Sequence, residues 1–233
     1  MQALVLVVLA RLLTPDDFGL MGAALVVLSF SGIAGELGVG SSIVQLPRLE
    51  AAHVGTALTI TFATALAFGA AAYLGAGAIA AFFRMPSLEY LVRLLSAAVL
   101  TDTCSVVPQG LLRREMRFRA LAIIEVTAYA AGYALVAIPL AYLGFGAQAL
   151  IIAYLVQSAL RLGLSVFAAS EGLTKPRFAV GEGRELLFTG GGFTLAKVAN
   201  QFALQADNVV VGRWIGAAGL GLYSRAYQLM VVP

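Results

Sequence analysis

The chain has 233 residues, of which 61% are hydrophobic and only 12% charged, and its mean hydropathy is +0.92. An ordinary soluble domain is about 25% charged, so water is not the main solvent here, and a net charge of +3 argues for no nucleic-acid partner. A single cysteine, Cys104, and a single histidine, His53, exclude an internal disulfide, a thiolate zinc site and a histidine metal cluster. They argue against a metalloenzyme or a serine hydrolase, so no metal, cofactor or catalytic residue is expected.

The chain begins with an apolar stretch, Ala3 to Leu13, too short to cross a bilayer and without the basic start of a signal peptide. It is expected to be the second half of a helix whose start is missing. Thr14-Pro15-Asp16-Asp17 then reads as a turn with helix-capping carboxylates. A transmembrane helix needs about 20 apolar residues, and such spans are predicted near 18–43, 54–83, 88–112, 120–143 and 146–169. Val54 to Phe83 has no charged residue, and neither does the run from Val126 up to Arg161, which is expected to split at Pro139, Gly144 and Gly146. A polar linker over 170–185 leads to a span near 186–212 and a last element over 220–233. The expected fold is an all-α, polytopic membrane helix bundle.

Loop charge sets the orientation. Alternate loops hold Arg48, then Arg113, Arg114, Arg117 and Arg119, then Lys175, Arg177 and Arg184; the opposite set holds Arg11, Arg84 and Arg213. The positive-inside rule puts the first set in the cytoplasm.

A long-period repeat is present. Arg11, Leu13, Gly19 and Leu20 recur in the same register as Arg213, Ile215, Gly221 and Leu222, each copy at the outer end of a span. One repeat then contains six helices, and an even number relates two lobes by an axis along the membrane normal, a transporter plan. Residues 1–169 form the first lobe, with its first helix truncated, and 186–233 open the second.

The stretches Ala10-Arg11-Leu12-Leu13-Thr14-Pro15-Asp16-Asp17-Phe18-Gly19-Leu20 and Glu36-Leu37-Gly38-Val39-Gly40-Ser41-Ser42-Ile43-Val44-Gln45 resemble bacterial polysaccharide-transporter flippases. So do Arg117-Phe118-Arg119, the run Asp207 to Arg213, and Gly219 to Tyr227 with Gly221 and Arg225. That family is a branch of the multidrug/oligosaccharidyl-lipid/polysaccharide exporter superfamily. The resemblance implies two six-helix lobes that rock between inward-open and outward-open states in the bacterial inner membrane. It implies a lipid-linked substrate, undecaprenyl-pyrophosphate oligosaccharide, for surface polysaccharides such as lipopolysaccharide and exopolysaccharide. It also implies work alongside a polysaccharide polymerase and glycosyltransferases. The length departs from that pattern, and a partial chain is expected.

Polar residues at membrane depth usually face a cavity or a partner. Tyr154, Gln157, Ser158, Arg161 and Ser165 form one stripe at helical spacing, and Lys197, Asn200, Gln201, Gln205 and Asn208 form a second. Cations for a pyrophosphate and amides and hydroxyls for a sugar are what such a substrate path needs. Arg161 and Lys197 are therefore the expected substrate-path cations, against the alternatives of pairing with nearby carboxylates or snorkelling. Glu36, Asp102, Glu125 and Asp207 are the carboxylates available for coupling or pairing. Arg93 and Asp102 lie on opposite sides of one helix and cannot pair with each other. The leading function is a lipid-linked oligosaccharide flippase with no covalent chemistry. The alternatives are a drug or cation antiporter of the same superfamily, a membrane glycosyltransferase, disfavoured by short outer loops, and a transport-inactive fragment.

Overall fold

The computed structural model describes residues 2–231, without the side chains of residues 2–4, 6, 33–36, 193 and 228–231. The elements in chain order are α1 (Gln2–Leu12), α2 (Pro15–Glu36), α3 (Val39–Gln45), α4 (Ala51–Phe83) and α5 (Leu88–Arg114). They continue with α6 (Phe118–Tyr129), a π-helical segment (Ala130–Ala137), α7 (Ile138–Tyr142), α8 (Ala147–Ala168), α9 (Val180–Trp214) and α10 (Ala217–Val231). No strand occurs among the described residues. Ala51–Phe83, Ser87–Arg114, Phe118–Tyr142 and Ala147–Ala168 are each long and apolar enough to cross a membrane. The chain is an all-α polytopic bundle.

Helix ends are set by local chemistry. Thr14 Oγ1 accepts from the Asp17 N–H while Asp17 Oδ2 accepts from the Thr14 N–H, a reciprocal capping box at the start of α2. The other oxygen of Asp17 accepts from the Ala147 N–H at 2.8 Å, so one carboxylate caps α2 and α8 together. The expected 18–43 span is broken: Leu37 (φ 46°) and Gly38 (φ 72°) take left-handed backbone and separate α2 from α3. A Cβ on Gly38 would run into the Gly190 carbonyl, so this break is where α9 crosses at backbone contact.

The π-helical segment lies just before Pro139. Proline offers no N–H, and its ring crowds the carbonyl four residues back, so the preceding turns loosen. Gly132 in this segment meets α8, where an added Cβ would lie 2.5 Å from the Ala153 carbonyl oxygen. The loop before α9 lies along the start of α4, with the Arg177 N–H on the Gly55 carbonyl and the Ala179 N–H on Thr56 Oγ1. That anchoring lets α9 begin at Val180, ahead of the expected 186.

Two buried clusters hold the bundle. Phe18, Met21, Leu88, Leu91, Leu95, Leu150, Ile151 and Leu220 fill the end away from the arginine cluster. Val39, Ile43, Ala57, Val107, Leu111, Leu112 and Leu186 fill the arginine-rich end. In lipid the gain is close packing rather than escape from water, which is why alanine and glycine recur at the crossings. Leu74, Phe167 and Phe188 are exposed on the outside of the bundle. At the arginine-rich end Arg114 Nη1 donates to the carbonyls of Ile43 and Leu46 at 2.8 and 2.6 Å, closing the C-terminus of α3. Arg117 does the same for Ala168 at the end of α8.

Candidate functional site

The α8 stripe faces α5 and α6. Tyr154 Oη donates to Asp102 Oδ2 at 2.8 Å. Arg161 reaches Asp102 Oδ1 through Nη1 at 3.6 Å and donates from Nη2 to Glu125 Oε1 at 3.1 Å. Gln157 Nε2 donates to the same Glu125 oxygen at 3.4 Å, and Thr101 Oγ1 donates to Ser158 at 2.8 Å. The Arg161 and Asp102 side chains are each 19% exposed, while Glu125 is 51% exposed. One guanidinium thus serves two carboxylates, one held inside the bundle and one at its margin. Arg93 turns the other way and pairs with Glu89 at 2.6 Å.

Asp102, Tyr154 and Arg161 of this cluster line a cavity of about 400 Å³, to which α2 contributes Ser29 and Gly32 and α9 Gln205. Two buried atoms beside it, Asp102 Oδ1 and Arg161 Nε, have no hydrogen-bond partner among the described residues. Such groups are costly in a dry interior and mark a place where a polar guest gains. Gln205 is oriented by Asn208, whose amide donates to it at 2.7 Å.

The structure therefore brings Arg161, Gln157, Ser158, Asp102 and Glu125 together, and joins Gln205 to them across the cavity. Lys197 and Gln201 are half-buried and Asn200 is exposed, further along α9 toward its start; the cavity is lined from α9 by Gln205. Asp207 is engaged elsewhere, accepting from Tyr223 Oη at 2.7 Å and tying α9 to α10. The Glu36 side chain lies outside the described residues. Sequence reasoning missed Ser29 and Gly32 as lining and Tyr154 as the clamp on Asp102, although the stripe containing Tyr154 was its signal.

The motif residues meet at the other end. Gly19 and Gly221 pack α2 against α10 at backbone distance: a Cβ on Gly19 would strike the Ala217 carbonyl, and one on Gly221 the Pro15 carbonyl. A Cβ on Gly22 would lie 3.5 Å from Ser224 Oγ. The Arg225 guanidinium lies 3.7 Å from the Phe18 ring centroid and that of Arg213 5.2 Å from the Phe82 ring centroid. Arg11 is exposed at the end of α1.

The helical bundle thus holds a charged cavity between α2, α5, α8 and α9. A family described as polysaccharide biosynthesis protein matches residues 8–233, and the chain belongs to that polysaccharide-transporter family. It is 30% identical to the succinoglycan biosynthesis transport protein ExoT of Rhizobium meliloti over 97% of this chain and 45% of that protein. It is 26% identical to the teichuronic acid biosynthesis protein TuaB of Bacillus subtilis over 88% of this chain and 42% of that protein. The lipopolysaccharide biosynthesis protein WzxC of Escherichia coli is also 26% identical, over 97% of this chain and 46% of its own length. No solved structure matches significantly. The chain spans about half the length of these relatives. It is a multi-pass protein of the bacterial inner membrane.

Proposed function

We propose that this chain carries the first lobe and the start of the second lobe of a flippase for undecaprenyl-pyrophosphate-linked oligosaccharide, working by alternating access. The observation that carries the reading is the cavity itself: a guanidinium, a carboxylate, a phenol and an amide gathered between α2, α5, α8 and α9, with Glu125 of α6 paired to the same guanidinium from outside the lining. Groups so costly to bury serve a path or a binding site. The relatives' names all concern surface glycans or their transport.

In this reading Arg161 receives the pyrophosphate. The incoming anion displaces Glu125, the more exposed partner, while Tyr154 keeps Asp102 in place. Gln205 offers its amide to sugar hydroxyls, the buried Gln157 and Ser158 brace the Arg161 stripe behind the path, and Lys197, Asn200, Gln201 and Asn208 continue it along α9. The arginine-rich end faces the cytoplasm. Transport breaks no bond, so no catalytic residue is assigned, and the polymerase and glycosyltransferases act before and after it.

Support for two lobes, 1–169 and 186–233 joined by 170–185, comes from the repeat. In its register Pro15 corresponds to Ala217, Gly19 to Gly221 and Gly22 to Ser224. Gly19 meets Ala217 while Gly221 meets Pro15, and Gly22 faces its own counterpart. Such reciprocal contacts belong to a two-fold axis.

The test is binding to the full chain in lipid nanodiscs, using a fluorescent undecaprenyl-pyrophosphate disaccharide. Saturable binding is expected, weakened about tenfold in Arg161→Gln, the worth of one charge-assisted hydrogen-bond pair. Binding indifferent to Arg161→Gln would refute the assignment.

A further inference from the structure

A second space lies on the opposite face of α2. Leu28, Ser29 and Gly32 turn toward the polar cavity. Val26, Val27 and Phe30, on the other side of the same helix, wall an apolar cleft of about 340 Å³ with Ile79 and Phe82 of α4 and Val209 of α9. The two spaces approach each other along α9, where Gln205 lines the first and Val209, one turn on, lines the second.

Arg213 stands at the end of the cleft away from the arginine-rich loops. Its guanidinium lies over Phe82, a wall of the cleft, and its Nη1 is buried with no hydrogen-bond partner among the described residues. A buried guanidinium N–H without an acceptor is a deficit that a ligand oxygen removes. Arg213 is eight residues, about 12 Å, beyond Gln205 along α9. An apolar cleft running inward from one unsatisfied cation is the complement of a lipid with an anionic head and a long apolar tail.

We propose that this cleft and Arg213 form an anchor site in the outer leaflet for the polyprenyl carrier, with Arg213 on its phosphate and Phe30, Ile79, Phe82 and Val209 along the chain. The inference rests on the flippase reading. A narrow apolar cleft with Arg213 at its rim, reached along α9 from the glycan cavity, suits one prenyl chain ending in a phosphate better than the two chains of a phospholipid.

The test is photolabelling of the full chain in phosphatidylcholine nanodiscs with undecaprenyl phosphate bearing a diazirine on its tail, followed by peptide mapping. Adducts are expected on 26–30, 78–83 and Val209, removed by excess unlabelled undecaprenyl phosphate but not by equal phosphatidylglycerol. Labelling should fall about tenfold in Arg213→Gln, survive in Arg213→Lys, and vanish in Ala78→Trp, which fills the cleft from an exposed position. Equal competition by phosphatidylglycerol, or adducts spread over Leu74 and Phe167, overturns the anchor site. If Arg161-dependent glycan binding persists in the same nanodiscs, only this inference fails; if that binding is absent while the tail still labels the cleft, the flippase reading fails instead.

Discussion

Arg161→Ala is expected to destabilise the bundle by about 3 kcal/mol, the low end of the cost of breaking a buried ion pair. The loss is not the attraction removed but the charge left behind. Asp102, 19% exposed and held by Tyr154, keeps a carboxylate inside the bundle with no cation near it. Glu125 is 51% exposed and finds a polar surface more easily, which places the effect at the low end. The combined variant Arg161→Gln, Asp102→Asn, Glu125→Gln removes all three charges together and should return stability to within about 1 kcal/mol of the parent, since neutral replacement of a buried ion network is often neutral. Glycan-pyrophosphate binding should stay weakened by about tenfold in both. Unfolding in mixed micelles separates the two variants. An Arg161→Ala protein as stable as the parent would mean that no buried ion pair exists.

Gly19→Val and Gly221→Val should each drive α2 and α10 apart, costing about 1–3 kcal/mol as overpacking does. The obstacle at both positions is a backbone carbonyl, of Ala217 and of Pro15, and backbone cannot rotate away as a side chain can. Because Gly22 and Ser224 face each other across this contact, Gly22→Cys with Ser224→Cys in a Cys104→Ala background should form a disulfide under mild oxidation. Adding either valine should abolish that cross-link, and to the same extent, since the two glycines occupy equivalent places in the repeat. A cross-link that survives Gly19→Val would show that α2 and α10 do not approach through this pair.

The bundle was legible because lipid writes a plain signal: long uncharged runs end at charged or proline-bearing turns such as Arg84-Met85-Pro86. The α8 stripe was legible too, since helical spacing alone puts Tyr154, Gln157 and Arg161 on one face. Its partners were not. Asp102 and Glu125 belong to other helices, and no periodicity says which helices adjoin; the pairing of Arg161 needed α5 and α6 in place. The break at Leu37–Gly38 was hidden because leucine gives no warning of left-handed backbone, and only the crossing of α9 at Gly190 explains it. Arg114 and Arg117 read as markers of orientation, yet they also hold the carbonyl ends of α3 and α8. Sequence composition counts such charges without showing which backbone oxygens they reach.

The account stands on the cavity being a water-filled path for a glycan pyrophosphate. The most direct measurement places a thiol in it, Gln205→Cys in the Cys104→Ala background, and follows its reaction with a charged, membrane-impermeant thiol reagent in nanodiscs. The account predicts that Gln205→Cys reacts, and that undecaprenyl-pyrophosphate oligosaccharide protects it while undecaprenyl phosphate without the glycan protects it little. A thiol that never reacts, or reacts equally with and without the glycan lipid, would contradict it.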